Sequence, residues 1–276
     1  MESIVVGFDG TEPSFVALDW AAERAALHAS RVEIIVVHTA DPFGGEIQDV
    51  ALDAAERRFR DAAPDAEVSS QRVPGRMPEA LLHAARGADV LVIGAHRRRP
   101  VRAALTGWRP LRTVSRSQLP VVVVPDDWTA AEGPILVGVD DDDSSSAAVE
   151  FAVAEAIAAG VALTLLHAWQ MPAPTMDGAV ALLASPIGEK ARHRRILEGV
   201  AEQVLIAQPD LKVEWTLARE SPSAALLMEA RRSSLLVIGT HHRGLFAGAF
   251  LGSVGQDALV ESRIPVCVVP VTVWTD

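Results

Sequence analysis

Positive charge is scarce in this chain. Lysine and arginine number 25 against 36 aspartates and glutamates, a net charge of −11 with a pI near 5.2. General nucleic-acid binding rests on a basic face that neutralises backbone phosphates, so that function class is set aside. Only Lys190 and Lys212 are lysines, and the excess of Arg and Ala reads as the mark of a GC-rich genome rather than of function. Cysteine is nearly absent: Cys267 stands alone inside the apolar run PVCVVP, which rules out an intrachain disulfide and reads as a buried, inert thiol. No apolar stretch approaches the roughly 18 residues that mark a membrane span, and the N-terminal MESIVVGFDG carries no basic region or cleavage site. The expectation is a cytoplasmic protein, neither exported nor inserted into a membrane. Also missing are the phosphate-loop pattern G-x-x-x-x-G-K-[ST], the dinucleotide pattern G-x-G-x-x-G and the nucleophile turn G-x-S-x-G. No residue is nominated as catalytic; slow ATP hydrolysis is compatible with the chain, because positioning and electrostatics dominate phosphoryl transfer.

What the chain has in abundance is itself, twice. IVVGFDG at 4–10 returns as ILVGVDD at 135–141, and EIIVVHTA at 33–40 returns as LTLLHAW at 163–169. VLVIGAHRR at 90–98 returns as LLVIGTHHR at 235–243, and LPVVVVP at 119–125 as IPVCVVP at 264–270. Such self-similarity is the first thing to read from a sequence. The later pairs share an offset of 145 whereas His38 and His167 differ by 129, so the second half carries an insertion, placed in QMPAPTMDGAVALLASPIG. The polar, Pro-bounded PDDWTAAEGP, residues 125–134, is the linker, which gives two domains at 1–127 and 133–276. Short Val/Ile/Leu runs alternate with Ala-rich helical patterns such as SFVALDWAAERAALHA, the signature of a parallel sheet covered on both faces. Each half is expected to be a five-stranded Rossmann-like α/β unit, with ligands beyond the carboxyl ends of the strands where strand order reverses.

Three places follow from that rule. After the first strands stand Asp9 and Asp140, each ahead of a helix, able to accept ribose hydroxyls or to cap the helix. Asp140 opens a run of four carboxylates that repels a triphosphate unless a cation such as Mg²⁺ intervenes, though an exposed, solvated turn is the commoner meaning of such a run. After the fourth strand of the second half, GTHHRGLFAGAFLGSVG at 239–255 places Gly239 and Gly252 thirteen residues apart, with Gly244 and Gly248 between and Ser253 following. Glycines admit phosphate oxygens close to the backbone, a helix N-terminus offers N–H groups, and a hydroxyl adds a donor. Turn chemistry and close helix packing account for the same glycines equally well. His38, His167, His96, His241 and His242 gather at the same end of the strands, but without cysteine or regular ligand spacing they nominate no metal site.

The order VGFDG, VVH, VPGRMPEALL, VIG with a glycine at thirteen, and PVVVVP resembles the universal stress protein family, and it occurs twice, over the whole chain. The resemblance implies a five-stranded parallel sheet with adenine nucleotide at the switch point, and an ATP-binding branch marked by G, two residues, G, nine residues, G, then Ser or Thr. Carried over, it puts Asp140 on the ribose or adenine side, Ala168 at adenine, and Gly239, Gly252 and Ser253 around the phosphates. In the first half the positions are Asp9, Thr39, Gly94 and Gly107. His242 stands where the second motif glycine belongs, with Gly244 as a substitute through a shifted loop. In the first half Arg97 takes that glycine's place and Trp108 that of the hydroxyl residue; Arg97, Arg98, Arg99 and Arg102 either hold phosphate or form a solvated basic loop. Arg219 replaces Gly75 of VPGRMP. The resemblance also implies that the apolar last strands pair between halves as an internal pseudo-dimer, and it leaves homodimerisation of the whole chain open. The expected function is a cytoplasmic stress-response protein that binds ATP, with Mg²⁺, as a regulator or sensor; the alternative is a scaffold that has lost nucleotide and works through protein partners.

Overall fold

Runs of Val, Ile and Leu form the strands, and Ala-rich amphipathic segments form the helices that cover them. The computed structural model describes residues 1–27, 29–38, 45–96, 109–140, 145–171, 186–240 and 251–271. The first half runs β1 (Glu2–Gly7), α1 (Glu12–Leu27), β2 (Ser30–His38), α2 (Gly45–Ala62), β3 (Glu67–Pro74), α3 (Glu79–Ala84), β4 (Val90–Ala95), α4 (Arg109–Val114), β5 (Val121–Pro125). The second runs β6 (Ile135–Gly138), α5 (Ser146–Ala159), β7 (Leu163–Ala168), α6 (Pro186–Ala207), β8 (Val213–Ala218), α7 (Pro222–Ala230), β9 (Leu235–Gly239), α8 (Ser253–Glu261), β10 (Val266–Val269).

The strands make one ten-stranded sheet in the order β3-β2-β1-β4-β5-β10-β9-β6-β7-β8. Within each half every pairing is parallel; β5 and β10 join the halves antiparallel. The expected pair of five-stranded units is thus present, fused through its last strands into a mixed sheet. These two strands are apolar on both faces because they sit at the centre and are buried throughout. The outer strands β3 and β8 alternate or mix exposed and half-buried residues, as strands at a sheet edge should. Two apolar layers result. One holds Ile4, Val6 and Val122 under α1, α2, α5 and α6; the other holds Val5, Leu91 and Val123 under α3, α4, α7 and α8. Adjacent residues of one strand enter opposite layers, as the pleat requires.

Local signals place the helix ends. Ser221 caps α7 by accepting from the Ala224 amide at 3.4 Å with Pro222 in the first turn, and α5 ends at Gly160 in the left-handed region (φ 65°). Cys267 lies fully buried on β10 opposite Val122. Burial pushes its thiol well above the ordinary range, with Glu155 adding to the rise and Arg24 opposing it. A folded-state pKa raised above the unfolded one means stability that is complete below about pH 8.5 and is lost as pH rises towards the folded value. Cys267→Val, which copies Val122, should therefore abolish an alkaline loss of stability measured by denaturant unfolding. The native thiol should stay unreactive to thiol reagents until the chain unfolds.

Candidate functional site

Strand order reverses between β6 and β9, and there the second half holds a cavity of about 220 Å³. Its walls come from the ends of β6, β7 and β9 and from α7 and α8: Asp140 and Ser145, Leu166 and Ala168, Ile238 and Gly239, Leu226, and Leu251 to Gly255. Asp140, Ala168, Gly239, Gly252 and Ser253, nominated from the sequence, all border it. The Asp140 amide donates to Ser145 Oγ at 2.7 Å, which fixes the turn from β6 towards α5. Gly252 precedes α8 with φ 30° and ψ 165°, and a Cβ added there would meet nothing within 4 Å. That backbone conformation is one L side chains rarely adopt, so glycine is required by the turn and leaves space beside it. The first amides of α8 have no intrahelical acceptor, as at any helix start, and they border the cavity through Ser253, Val254 and Gly255. An apolar slot thus ends against a helix N-terminus with a hydroxyl and a carboxylate at its rim, a geometry suited to a ligand with a flat apolar end and an anionic one.

Sequence reasoning missed part of this site. Leu226 of α7 lines it with no motif to announce it. Nor was His193 foreseen, although its spacing with Leu197, Ala201 and Val204 on the buried face of α6 would have revealed an inward position. His167 is 2% exposed; its Nδ1–H donates to the Val139 carbonyl at 2.7 Å. As a neutral ring it accepts at Nε2 from His193 Nδ1–H at 2.7 Å, and His193 Nε2 accepts from Arg192 at 3.0 Å. The chain of bonds steadies Val139, a wall of the cavity. Trp169 stacks on His193 with ring centres 5.2 Å apart, and the Arg219 guanidinium lies 5.6 Å from the Trp169 ring centre. Arg219, the residue in place of the motif glycine, is thus engaged behind the second strand. Among the described residues no group of three or more His, Cys, Asp or Glu is arranged to hold a metal ion.

In the first half the described candidates are committed to α1. Asp9 Oδ1 accepts from the Thr11 amide at 3.1 Å and from the Thr11 hydroxyl at 2.5 Å, which makes it the turn that starts the helix. Gly94 lies beneath that helix start: an added Cβ would sit 2.0 Å from the Pro13 carbonyl oxygen. Its lack of a side chain is needed for packing of backbone on backbone. Gly94→Ala should cost about 3 kcal/mol, at the upper end for an overpacked site, read as a lowered midpoint of thermal unfolding. Thr39, Arg97, Gly107, His242 and Gly244 lie outside the described residues.

Comparison with known proteins places these observations. The model of the universal stress protein family matches residues 1–125 and 133–270, and the chain belongs to that family, in tandem form. It is 30% identical over 292 residues to a universal stress protein of Mycolicibacterium smegmatis, with 96% of each chain covered. A universal stress protein of Mycobacterium tuberculosis is 28% identical, covering 96% of this chain and 94% of the other. In fold the chain is similar to a universal stress protein from Archaeoglobus fulgidus, with a TM-score of 0.69 at 18% identity over 97% of this chain and 98% of that one. No helix among the described residues is long and apolar enough to cross a membrane.

Proposed function

We propose that the second half binds an adenine nucleotide, ATP with Mg²⁺, and that the protein serves in the cytoplasm as a nucleotide-dependent regulator or sensor of stress. The observation that carries this reading is the meeting of Asp140, Ala168, Gly239, Gly252 and Ser253, from four separate segments, around one cavity. In this reading the N-terminal turn of α8 and the Ser253 hydroxyl hold phosphate, Gly239 and Gly252 let it approach the backbone, and Asp140 takes ribose hydroxyls. Ala168 lies beside the base. A cavity of 220 Å³ is smaller than the roughly 300–1,000 Å³ of pockets that enclose a whole ligand, so the described walls account for part of the nucleotide. Mg²⁺ would offset the repulsion between the phosphates and the acidic run that begins at Asp140. The single cysteine, buried and unpaired, fits a reducing compartment.

The test is to denature freshly purified protein, identify the small molecules released, and titrate the stripped chain with ATP and Mg²⁺. One adenine nucleotide per chain is expected, because Asp9 and Gly94 of the first half already serve α1. Two per chain would return the first half to the site. None, with no affinity at millimolar ATP, would leave the second reading, a scaffold acting through protein partners; the observation favouring it is Arg219, which replaces a motif glycine and packs on Trp169.

A further inference from the structure

Equivalent positions in the two halves carry opposite charges at the point where the halves meet. The offset of 131 that relates Gly7 to Gly138 also relates Arg24 to Glu155. Along that offset the buried stripes of α1 and α5 match: Ala17 with Ala148, Leu18 with Val149, Ala21 with Ala152, Ala25 with Ala156. Arg24 and Glu155 break the match and bond to each other. Arg24 Nη2 donates to Glu155 Oε1 at 2.6 Å while Nη1 donates to Oε2, and both side chains are 10% exposed. The central strands below are nearly symmetric: Val122 faces Cys267, flanked by Val121 opposite Val268 and Val123 opposite Val266. The offset of 145 relates each of β5's Val121, Val122 and Val123 to its counterpart on β10. A local two-fold axis therefore passes between Val122 and Cys267 and between Arg24 and Glu155.

Strand hydrogen bonds are blind to side chains, and VVVV and VCVV present almost the same apolar strip. On their own, β5 and β10 would accept a copy of themselves as readily as each other. The charges discriminate, and unequally. A first half paired with its copy would bring two Arg24 side chains together, each still held by its own Glu2 at 2.6 Å. A second half paired with its copy would bury two Glu155 carboxylates face to face. The position equivalent to Glu2 there is Gly133, where even a Cβ would come within 2.8 Å of the Arg232 carbonyl, so no side chain can supply a counter-charge.

We propose that Arg24 and Glu155 are the pairing-specificity residues of the two-fold interface: the second half's surface around Glu155 fits a partner that presents a guanidinium from α1 and rejects a second copy of itself. The test begins with the full chain carrying a protease site in the exposed linker residues 129–132. It is cleaved after folding, unfolded in guanidinium, refolded by dilution, and its pairs are weighed by native mass spectrometry. In the wild type, mixed pairs should exceed like pairs by about tenfold or more, with pairs of second halves the rarest. Arg24→Gln combined with Glu155→Gln should shift the products towards a random mixture, second-half pairs rising most. Like pairs as abundant in the wild type as in the double variant would overturn the proposal, as would a double variant that stays wholly mixed. The uncleaved chain gives a readout independent of fragment refolding: across Arg24→Gln, Glu155→Gln and their combination, the double variant should regain much of the thermal stability that the singles lose. Additive losses would also overturn it.

Discussion

Gly252→Trp should reduce adenine-nucleotide affinity by at least about 100-fold, a loss of roughly 2.7 kcal/mol, while the chain stays folded. Two effects act at this position and they can be separated. The first is strain: at φ 30° any side chain loses the conformational freedom glycine has, which costs about 1 kcal/mol. The second is occupation: Gly252 borders the cavity with open space where its Cβ would be, so an indole there takes volume from a cavity of only 220 Å³ and covers the first amides of α8. Gly252→Ala carries the strain and little of the volume, and should weaken binding far less than Trp. Gly160→Ala is the matching control, since Gly160 also has positive φ (65°) and open surroundings but ends α5 away from the cavity. It should lower thermal stability by a similar amount and leave affinity unchanged. Calorimetric titration of the three variants decides the matter. Wild-type affinity in Gly252→Trp would mean that phosphate does not sit at the start of α8.

The parts of this molecule written in periodicity and repetition were legible before any coordinates. The strands were visible because both faces of a central parallel strand must be apolar, and VVVVP and VCVVP could mean little else. The second-half site was legible because its residues fall at strand ends and helix starts, where chain order alone fixes their place: Asp140 after β6, Ala168 ending β7, Gly239 ending β9, Gly252 before α8. Its other walls were not, since Leu226 lies on a helix face whose apolar pattern serves the core as well as the cavity. Gly94 shows the opposite limit. A motif assigns it to phosphate, yet what forbids a side chain there is the Pro13 carbonyl, a contact between segments far apart in sequence. His193 and the bond between Arg24 and Glu155 belong to the same class. Each depends on which helices the topology brings together, and single-sequence patterns encode faces, not neighbours.

Arg24 should be the most costly of these residues to remove, and the reason is the imbalance of charge around it. Its guanidinium is held by two carboxylates, Glu2 and Glu155, and lies over Trp20 and Phe151 with ring centres 5.7 and 5.9 Å away. Burial by itself would lower its pKa, yet hydrogen bonds and attraction from Glu155 and Glu2 carry it above the ordinary arginine range. Arg24→Leu strands the Glu155 carboxylate, whose side chain is 10% exposed, without a counter-charge, and removing one partner of a buried pair costs about 3–5 kcal/mol. Glu155→Leu leaves Arg24 with Glu2, so its cost should be smaller, about 1–2 kcal/mol. Glu2 is the more exposed carboxylate, with 19% of its side chain open, and can turn to solvent when Arg24 is gone. The combined Arg24→Leu and Glu155→Leu variant therefore removes the buried charges together, and its stability should return to within about 1 kcal/mol of the wild type. Thermal unfolding should show the order directly, with the midpoint of Arg24→Leu lower by roughly 6–20 °C and the double variant close to the parent. Equal losses in the two single variants would mean that Glu2 does not share the guanidinium, and that the junction of the halves depends on Arg24 and Glu155 alone.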